Sequence, residues 1–185
     1  MAKITMHNDG NNNNSNIPSY QQTIDDVHNS AISLDEIVDE LTISCCKDLD
    51  DYIMYVKGLV DDVDTPISDA ELDDIILTIP TLLYFTGNAQ ETLGIREDIS
   101  KMDETNKYNN IFINTEGTVQ AKQAYAKLQV QNETIATMVY QRACKKIKLR
   151  CDYALEILQS AKKILSRRLA ELELSKSALN KNQNN

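Results

Sequence analysis

The stretch from Thr118 to Ala178, TVQAKQAYAKLQVQNETIATMVYQRACKKIKLRCDYALEILQSAKKILSRRLAELELSKSA, decides the fold class of this protein. It contains neither glycine nor proline, and strong helix formers such as Ala, Leu, Lys, Gln and Glu dominate it. It predicts one helix, or two nearly collinear helices, over about residues 118–178. A continuous helix of about 60 residues would be roughly 90 Å long. If the chain instead folds back near Glu133 and Thr134, two shorter helices form a hairpin.

Apolar side chains recur along this stretch every three or four residues, which is typical of a helix with one buried face. The spacing of these apolar residues shifts in register along the stretch. Such shifts favour a helical bundle or an interrupted coiled coil over a strict heptad zipper. A small N-terminal part cannot cover a helix of this length, so we expect copies of the same chain or a partner helix to cover it. The residues predicted to mediate oligomerisation are Ile147, Ala154, Leu158, Ala161, Leu165 and Leu169.

The residues before this helix predict an acidic helical region over 31–116. Ser33–Glu36 has the S-x-x-E form of a capping box and predicts a helix start near Leu34. Ser68–Glu71 repeats the form and predicts a second helix, which Pro80 should end or kink before a third helix begins. A connector around Gly117 leads to the long helix, with Gly117 or Thr118 near its N-cap.

Both ends of the chain have the composition of disordered tails. Residues 1–30 are rich in Asn, with Ser and Gln, and residues 179–185 are similar. Such segments bury too little apolar surface to offset the entropy of ordering them. The sequence therefore predicts an all-α protein: a helical bundle with a long C-terminal helix over about 118–178 and a disordered N-terminal tail.

Catalysis is not expected from this composition. The two histidines, His7 and His28, lie in the polar N-terminal segment, so general acid/base, triad and histidine–metal chemistry lack an imidazole held inside a fold. No P-loop, nucleophile elbow or EF-hand pattern is present. The four cysteines lack the C-x-x-C spacing of redox and zinc sites. We expect a protein that is not an enzyme and has no cofactor and no metal.

Charge is divided unevenly along the chain. Residues 1–116 carry 6 Lys/Arg and 23 Asp/Glu, a formal charge of −17, whereas residues 117–185 carry 13 and 5, a charge of +8. Such asymmetry indicates a basic element that meets nucleic acid or an acidic partner. Alternatively, the two parts neutralise each other, within one subunit or between subunits. The sequence leaves both interpretations open.

The basic residues of the long helix are candidates for nucleic-acid binding. Arg142, Lys146 and Arg150 are i,i+4 neighbours, so they share a stripe that can follow a phosphate backbone. Tyr140 and Tyr153 lie beside them and could stack on unpaired bases, or could equally be packing residues. The full set of candidate cations is Arg142, Lys145, Lys146, Lys148, Arg150, Lys163 and Arg167.

The run from Tyr140 to Ser160, YQRACKKIKLRCDYALEILQS, with AKKILSR after it, resembles the C-terminal helix of phage recombination mediators of the UvsY type. The resemblance covers about 50 residues. It implies a ring-forming helical oligomer in the host cytoplasm, which binds single-stranded DNA and helps a recombinase displace single-strand-binding protein. No segment of the N-terminal half matches the family's basic DNA-binding motif. The candidate cations are therefore offered on their charge alone.

Two functions follow from these patterns. The first is an oligomeric accessory of DNA recombination or replication, whose partners are single-stranded DNA and a recombinase or single-strand-binding protein. The alternative is a phage virion component or scaffold that uses the long helix only for subunit packing. No run of 18 apolar residues and no secretory signal occurs, so we expect a cytoplasmic protein that has no membrane partner.

Overall fold

A computed structural model describes residues 19–62 and 64–183, with the side chains of residues 24, 27–62 and 64–177. This part of the chain contains four helices and no strand, which confirms the all-α class. The helices are α1 (Ser19–Asp61), α2 (Asp69–Asn114), α3 (Val119–Gln129) and α4 (Gln131–Gln183). The chain divides into two compact units, residues 1–35 and residues 36–185. The N-terminal unit holds the first turns of α1, and the second unit holds the rest of the helices.

The predicted helix start near Leu34 is wrong, because α1 already begins at Ser19. Ser33 lies inside the helix, where its hydroxyl donates to the carbonyl of Asn29 at 3.2 Å instead of capping a new helix. Residues 19–30, predicted as part of a disordered tail, are therefore helical, and residues 1–18 lie outside the described part. At the other end α4 runs to Gln183, so residues 179–183 are helical too, contrary to the prediction.

The second capping box forms as predicted. The backbone N–H of Glu71 donates to Ser68 Oγ at 3.2 Å, and the Glu71 carboxylate accepts from the Ser68 backbone N–H at 2.7 Å. This reciprocal pair satisfies two N–H groups that would otherwise lack a partner at the start of α2. The connectors around it also match the sequence, since Thr118 caps α3 and Gly117 has a positive φ of 124°.

The prediction that Pro80 separates two helices is wrong, because α2 continues through it to Asn114. Pro80 is exposed, whereas Ile79 before it and Leu82 after it pack on the core. A proline inside a helix removes one backbone hydrogen bond and crowds the preceding turn. Burial of apolar side chains on both sides of Pro80 offsets that cost and keeps the helix continuous.

Residues 36–185 form a bundle in which α2 runs antiparallel to α4, while the second-unit part of α1 runs parallel to α4. Two apolar clusters make up its core. The first contains Leu49, Val56, Leu72, Ile75, Ile79, Ala154, Leu158 and Ala161. The second contains Val38, Cys46, Leu93, Ala143 and Ile147. Each cluster takes residues from α1, α2 and α4, so all three helices depend on one another for burial.

The long C-terminal helix is interrupted once. Val130 lies between α3 and α4, with its N–H bonded to the carbonyl of Ala126 and its carbonyl bonded to the N–H of Thr134. The helical hydrogen bonds therefore run across the break, and α2 packs against both helices. The alternative hairpin at Glu133 and Thr134 is wrong, because both residues lie in the first turns of α4. The chain forms the two successive helices that the sequence allowed.

Candidate nucleic-acid and assembly surfaces

The structure separates the candidate cations into two groups. Two of them face α1: Lys146 Nζ lies 2.5 Å from Asp39 Oδ1, and the Arg150 guanidinium donates to the Asp50 carboxylate. All four side chains are partly buried. The acidic and basic parts of the chain therefore neutralise each other at these positions, as the second interpretation of the charge pattern expects. Lys146 and Arg150 are bundle contacts in this structure.

Arg168, which was not among the candidates, fixes the connector between α1 and α2. Its Nη1 donates to Asp69 Oδ1 at 2.6 Å, and its Nη2 donates to the carbonyl of Ile67 at 2.7 Å. One guanidinium thus binds both a carboxylate and a backbone carbonyl, a geometry that suits the planar donor fork of arginine. No local pattern distinguishes Arg168 from its exposed neighbour Arg167.

Burial dominates the electrostatics at the ion pair between α1 and α4. The pKa of Asp50 is raised, because burial of the carboxylate outweighs the opposing effect of Arg150. Nearby, burial and then the charge of Asp50 raise the pKa of Cys46 to about 11. This thiol is therefore a packing group rather than a nucleophile at neutral pH. The pKa values of Cys144 and Cys151 are also raised, with burial as the main cause.

The remaining candidate cations lie on the solvent side of α4. They are Arg142, Lys145, Lys148, Lys163 and Arg167, and all five are exposed. Arg167 makes a loose contact with Glu171, with 3.6 Å between Nε and Oε1. The other four form no ion pair within the described part of the chain. The two tyrosines also separate: Tyr140 packs against the second core cluster, whereas Tyr153 is 57% exposed.

The residues predicted to mediate oligomerisation lie mostly inside the chain's own core. Ile147, Ala154, Leu158 and Ala161 are buried, and Leu165 packs against the first cluster. The prediction that another copy or a partner helix covers this stripe is wrong for these five residues, because α1 and the 46-residue α2 are long enough to cover it. Leu169, by contrast, is exposed. These six positions therefore form no common surface that could pack against a second chain.

A second apolar stripe, not identified from the sequence, lies on the outer side of α2. Leu77, Tyr84, Ile95, Ile99, Met102 and Ile113 are all at least half exposed. They follow a strict 3.6-residue period, with Thr81, Asn88 and Asn106 filling intermediate positions. This 3.6-residue period is the sequence signal from which the exposed apolar stripe of α2 could have been predicted. It was missed because an interruption at Pro80 was expected and because the same helix carries its core stripe on the opposite side.

A polar layer joins α2 to α4 near the helix break. Thr134 Oγ1 donates to Glu104 Oε1 at 2.6 Å, and Thr137 Oγ1 donates to Glu104 Oε2 at 3.2 Å. The Thr137 hydroxyl has one proton, so the 3.0 Å contact with Ser100 makes Ser100 the donor to it. Next to this layer is an open groove of about 840 Å³, with Tyr108, Val130, Ile135 and Met138 among its lining residues.

Two further kinds of site to consider are a metal centre and a membrane span. The described residues contain no group of three or more His, Cys, Asp or Glu side chains placed to hold a metal ion. None of the described helices has an apolar stretch long enough to span a membrane. No family model matches the chain, and neither a curated protein nor a solved structure is significantly similar to it.

Proposed function

We propose that this protein is a non-enzymatic accessory of DNA recombination or replication that contacts single-stranded DNA through the exposed cations of α4. One observation supports this proposal. The acidic helices neutralise Lys146, Arg150 and Arg168, yet Arg142, Lys145, Lys148 and Lys163 stay exposed and unpaired in the described part of the protein.

Arg142, Lys145 and Lys148 follow one another at three-residue intervals, so they lie within two turns of α4. Tyr153 presents an exposed ring one turn beyond them. Cations that bind phosphates and an aromatic ring on which a base stacks are the two components of sequence-independent single-strand binding. The acidic surfaces of α1 and α2 repel a polyanion, which confines DNA to the outer side of α4.

The acidic helices are the natural place for a protein partner. A recombinase or a single-strand-binding protein that is itself in contact with DNA has basic surfaces, which the exposed carboxylates of α1 and α2 complement electrostatically. The resemblance of residues 140–167 to UvsY-type mediators suggests the same partners. In this proposal the protein holds DNA on α4 and the partner protein on α1 and α2, and so brings the two together.

The proposal is tested by fluorescence anisotropy with a labelled single-stranded oligonucleotide at several salt concentrations. The triple variant Arg142→Glu/Lys145→Glu/Lys148→Glu should lose at least about tenfold in affinity, and its log–log salt slope should fall by about 2, since each single-strand phosphate contact contributes about 0.7. A control reverses two exposed cations elsewhere, Lys57→Glu and Arg96→Glu, of which Lys57 pairs, among the described residues, only with Asp61 one turn along α1, and it should retain binding apart from a smaller long-range effect.

Lys146 and Arg150 are unsuitable for this test, because reversing them would set like charges against Asp39 and Asp50 inside the bundle. The proposal is overturned if the intact protein binds neither single-stranded nor duplex DNA at about 50 mM salt, where phosphate contacts are weakly screened.

The alternative is a phage structural or assembly protein, and the exposed apolar stripe of α2 favours it. An assembly protein would use Leu77, Tyr84 and Ile95 for subunit packing and leave the cations of α4 in solvent. The solution mass would then rise with concentration, DNA would have no effect on it, and the triple variant would assemble as the intact protein does.

A further inference from the structure

The outer side of α2 is both apolar and acidic. Its outward positions from 77 to 102 are Leu77, Pro80, Thr81, Tyr84, Gly87, Asn88, Glu91, Ile95, Asp98, Ile99 and Met102, and all are exposed. We call this set the α2 outer face. It contains two carboxylates and no lysine or arginine, and one of the carboxylates, Asp98, makes a loose contact with Lys101 beside the face, with 3.9 Å between Oδ1 and Nζ. Leu77, Tyr84 and Met102 are each more than 60% exposed, a degree of apolar exposure that is uncommon along one face of a monomeric protein.

The outer side of α4 is apolar and basic. Ile135, Met138, Arg142, Lys145, Leu149 and Tyr153 are exposed there, and we call this set the α4 outer face. Arg142 and Lys145 lie in its middle, with Met138 before them and Leu149 after them. Both faces are thus ridges of exposed apolar side chains whose charges have opposite signs, although the exposed carboxylate of Asp152 borders the α4 outer face and that of Glu156 lies just beyond its end.

Charge complementarity identifies the partner of the α2 outer face. Two copies packed α2 against α2 would join two faces whose only charges are carboxylates, and two copies packed α4 against α4 would join two faces that each carry Arg142 and Lys145. Like charges placed opposite each other in an interface cost several kcal/mol. The α2 outer face against the α4 outer face pairs carboxylates with cations and covers the apolar side chains of both.

We infer that the α2 outer face of one copy docks on the α4 outer face of a second copy. The contact is heterologous, so each copy offers one face of each kind and the chains associate head to tail. Because the α4 outer face includes Arg142 and Lys145, docking covers cations that we propose contact DNA. This second part of the inference rests on the proposed function: self-association and DNA binding compete for one surface.

Two variants with intact cores test the docking. The α2-face variant, Ile95→Gln/Ile99→Gln/Met102→Gln, replaces exposed apolar side chains, and the α4-face variant, Arg142→Glu/Lys145→Glu, reverses exposed cations. Light scattering after gel filtration should find association of the intact protein, monomers for each variant alone, and a two-chain complex when the variants are mixed. The mixture retains one intact interface, since each variant supplies the face that the other lacks. Circular dichroism and thermal unfolding confirm that both variants fold.

Other packing arrangements give different results. If the α2-face variant still self-associates alone, if the α4-face variant does so, or if the mixture stays monomeric, head-to-tail docking is overturned. It is also overturned if the intact protein remains a monomer at about 100 µM, a concentration at which more than half of the copies of even a weak interface with a Kd of about 40 µM are occupied.

A DNA titration separates this inference from the proposed function. The α2-face variant keeps its cations uncovered, so it should bind a single-stranded oligonucleotide at least as tightly as the intact protein, and the oligonucleotide should lower the mass of the intact assembly. If the mixed variants associate but no form binds DNA, the docking stands and the proposed function fails. If DNA binds without lowering the mass, the competition is overturned.

Discussion

Arg142, Lys146 and Arg150 form a row on α4 that turns from solvent toward α1. Each step of four residues rotates the side chain by about 40° around a helix, so a row of i,i+4 neighbours leaves a given surface within about two turns. Arg150 and Lys146 point toward α1, whereas Arg142 points to solvent. The spacing places these three cations within about two turns of one helix. It could not divide them, because the direction of the partner helix is a tertiary property.

The Arg150–Asp50 pair gives a prediction at the residue scale. Replacing Arg150 with Met removes the cation that opposes the effect of burial on Asp50, so the pKa of Asp50 rises further. A carboxyl whose folded pKa lies above its unfolded value stabilises the fold when protonated, and this contribution is lost as the pH rises through the folded pKa. The Arg150→Met variant should therefore lose about 1 kcal/mol of unfolding free energy at neutral pH, a value discounted for solvent screening, and less at about pH 4.

Urea unfolding at the two pH values measures this difference. The double variant Asp50→Asn/Arg150→Met is the control: without the carboxylate, its stability relative to the intact protein should depend less on pH than that of Arg150→Met alone. A loss for Arg150→Met that grows at low pH would contradict the assigned role of Asp50.

The helices show where local signals compete with packing. Ser68–Glu71 capped a helix as predicted because a proline and an aspartate-rich turn precede it, and no apolar period crosses this point. The same pattern at Ser33 had no effect, because helical residues continue on both sides of it. The position of the break at Val130 has no signal in a stretch without glycine and proline; Val130 is buried there, and α2 packs against the helices on both sides of it.

Pro80 gives a prediction at the element scale. Pro80→Ala restores the backbone N–H that can bond to the carbonyl four residues earlier and removes the crowding of the ring, at a position where the side chain faces solvent. The greater freedom of the unfolded chain offsets about 0.4–1 kcal/mol of the gain. We expect a net stabilisation of about 1–2 kcal/mol, measured by chemical unfolding. Ala70→Pro, at the second residue of the same helix, is a matched control that should be nearly neutral. A destabilised Pro80→Ala variant would show that the proline shapes α2.

At the scale of the whole molecule, the all-α class could be predicted, and the uneven charge could be counted directly from the sequence. Which helices cover the apolar side of α4 could not be predicted. The prediction treated residues 31–116 as several short helices, which left no element long enough to lie along α4. Because α2 continues through Pro80, it is long enough to be that element. The exposed stripe of α2 follows from the same correction, because a long helix with two apolar sides can bury only one of them in a bundle of three.

The last turns of α4 give a prediction at this scale. Side chains from Leu169 to Ser177 are exposed, so ending the chain after Ala170 should change the unfolding free energy by no more than about 0.5 kcal/mol. Leu158→Ala, in the buried part of the same helix, should cost about 2–5 kcal/mol. Thermal or urea unfolding compares the two. A large loss on truncation would mean that the end of α4 is buried in the folded protein.

The parallel arrangement of α1 and α4 affects the order in which the protein matures. Asp50 meets Arg150 across 100 residues, so a nascent chain must wait for its final third to leave the ribosome before α1 acquires that neighbour. Until α4 has been synthesised, α1 and α2 can form only a hairpin, and the apolar side that α4 later covers is exposed to water. Contacts between residues so far apart in the sequence slow folding and leave intermediates that are prone to aggregate. We therefore expect chaperones to bind the half-synthesised protein.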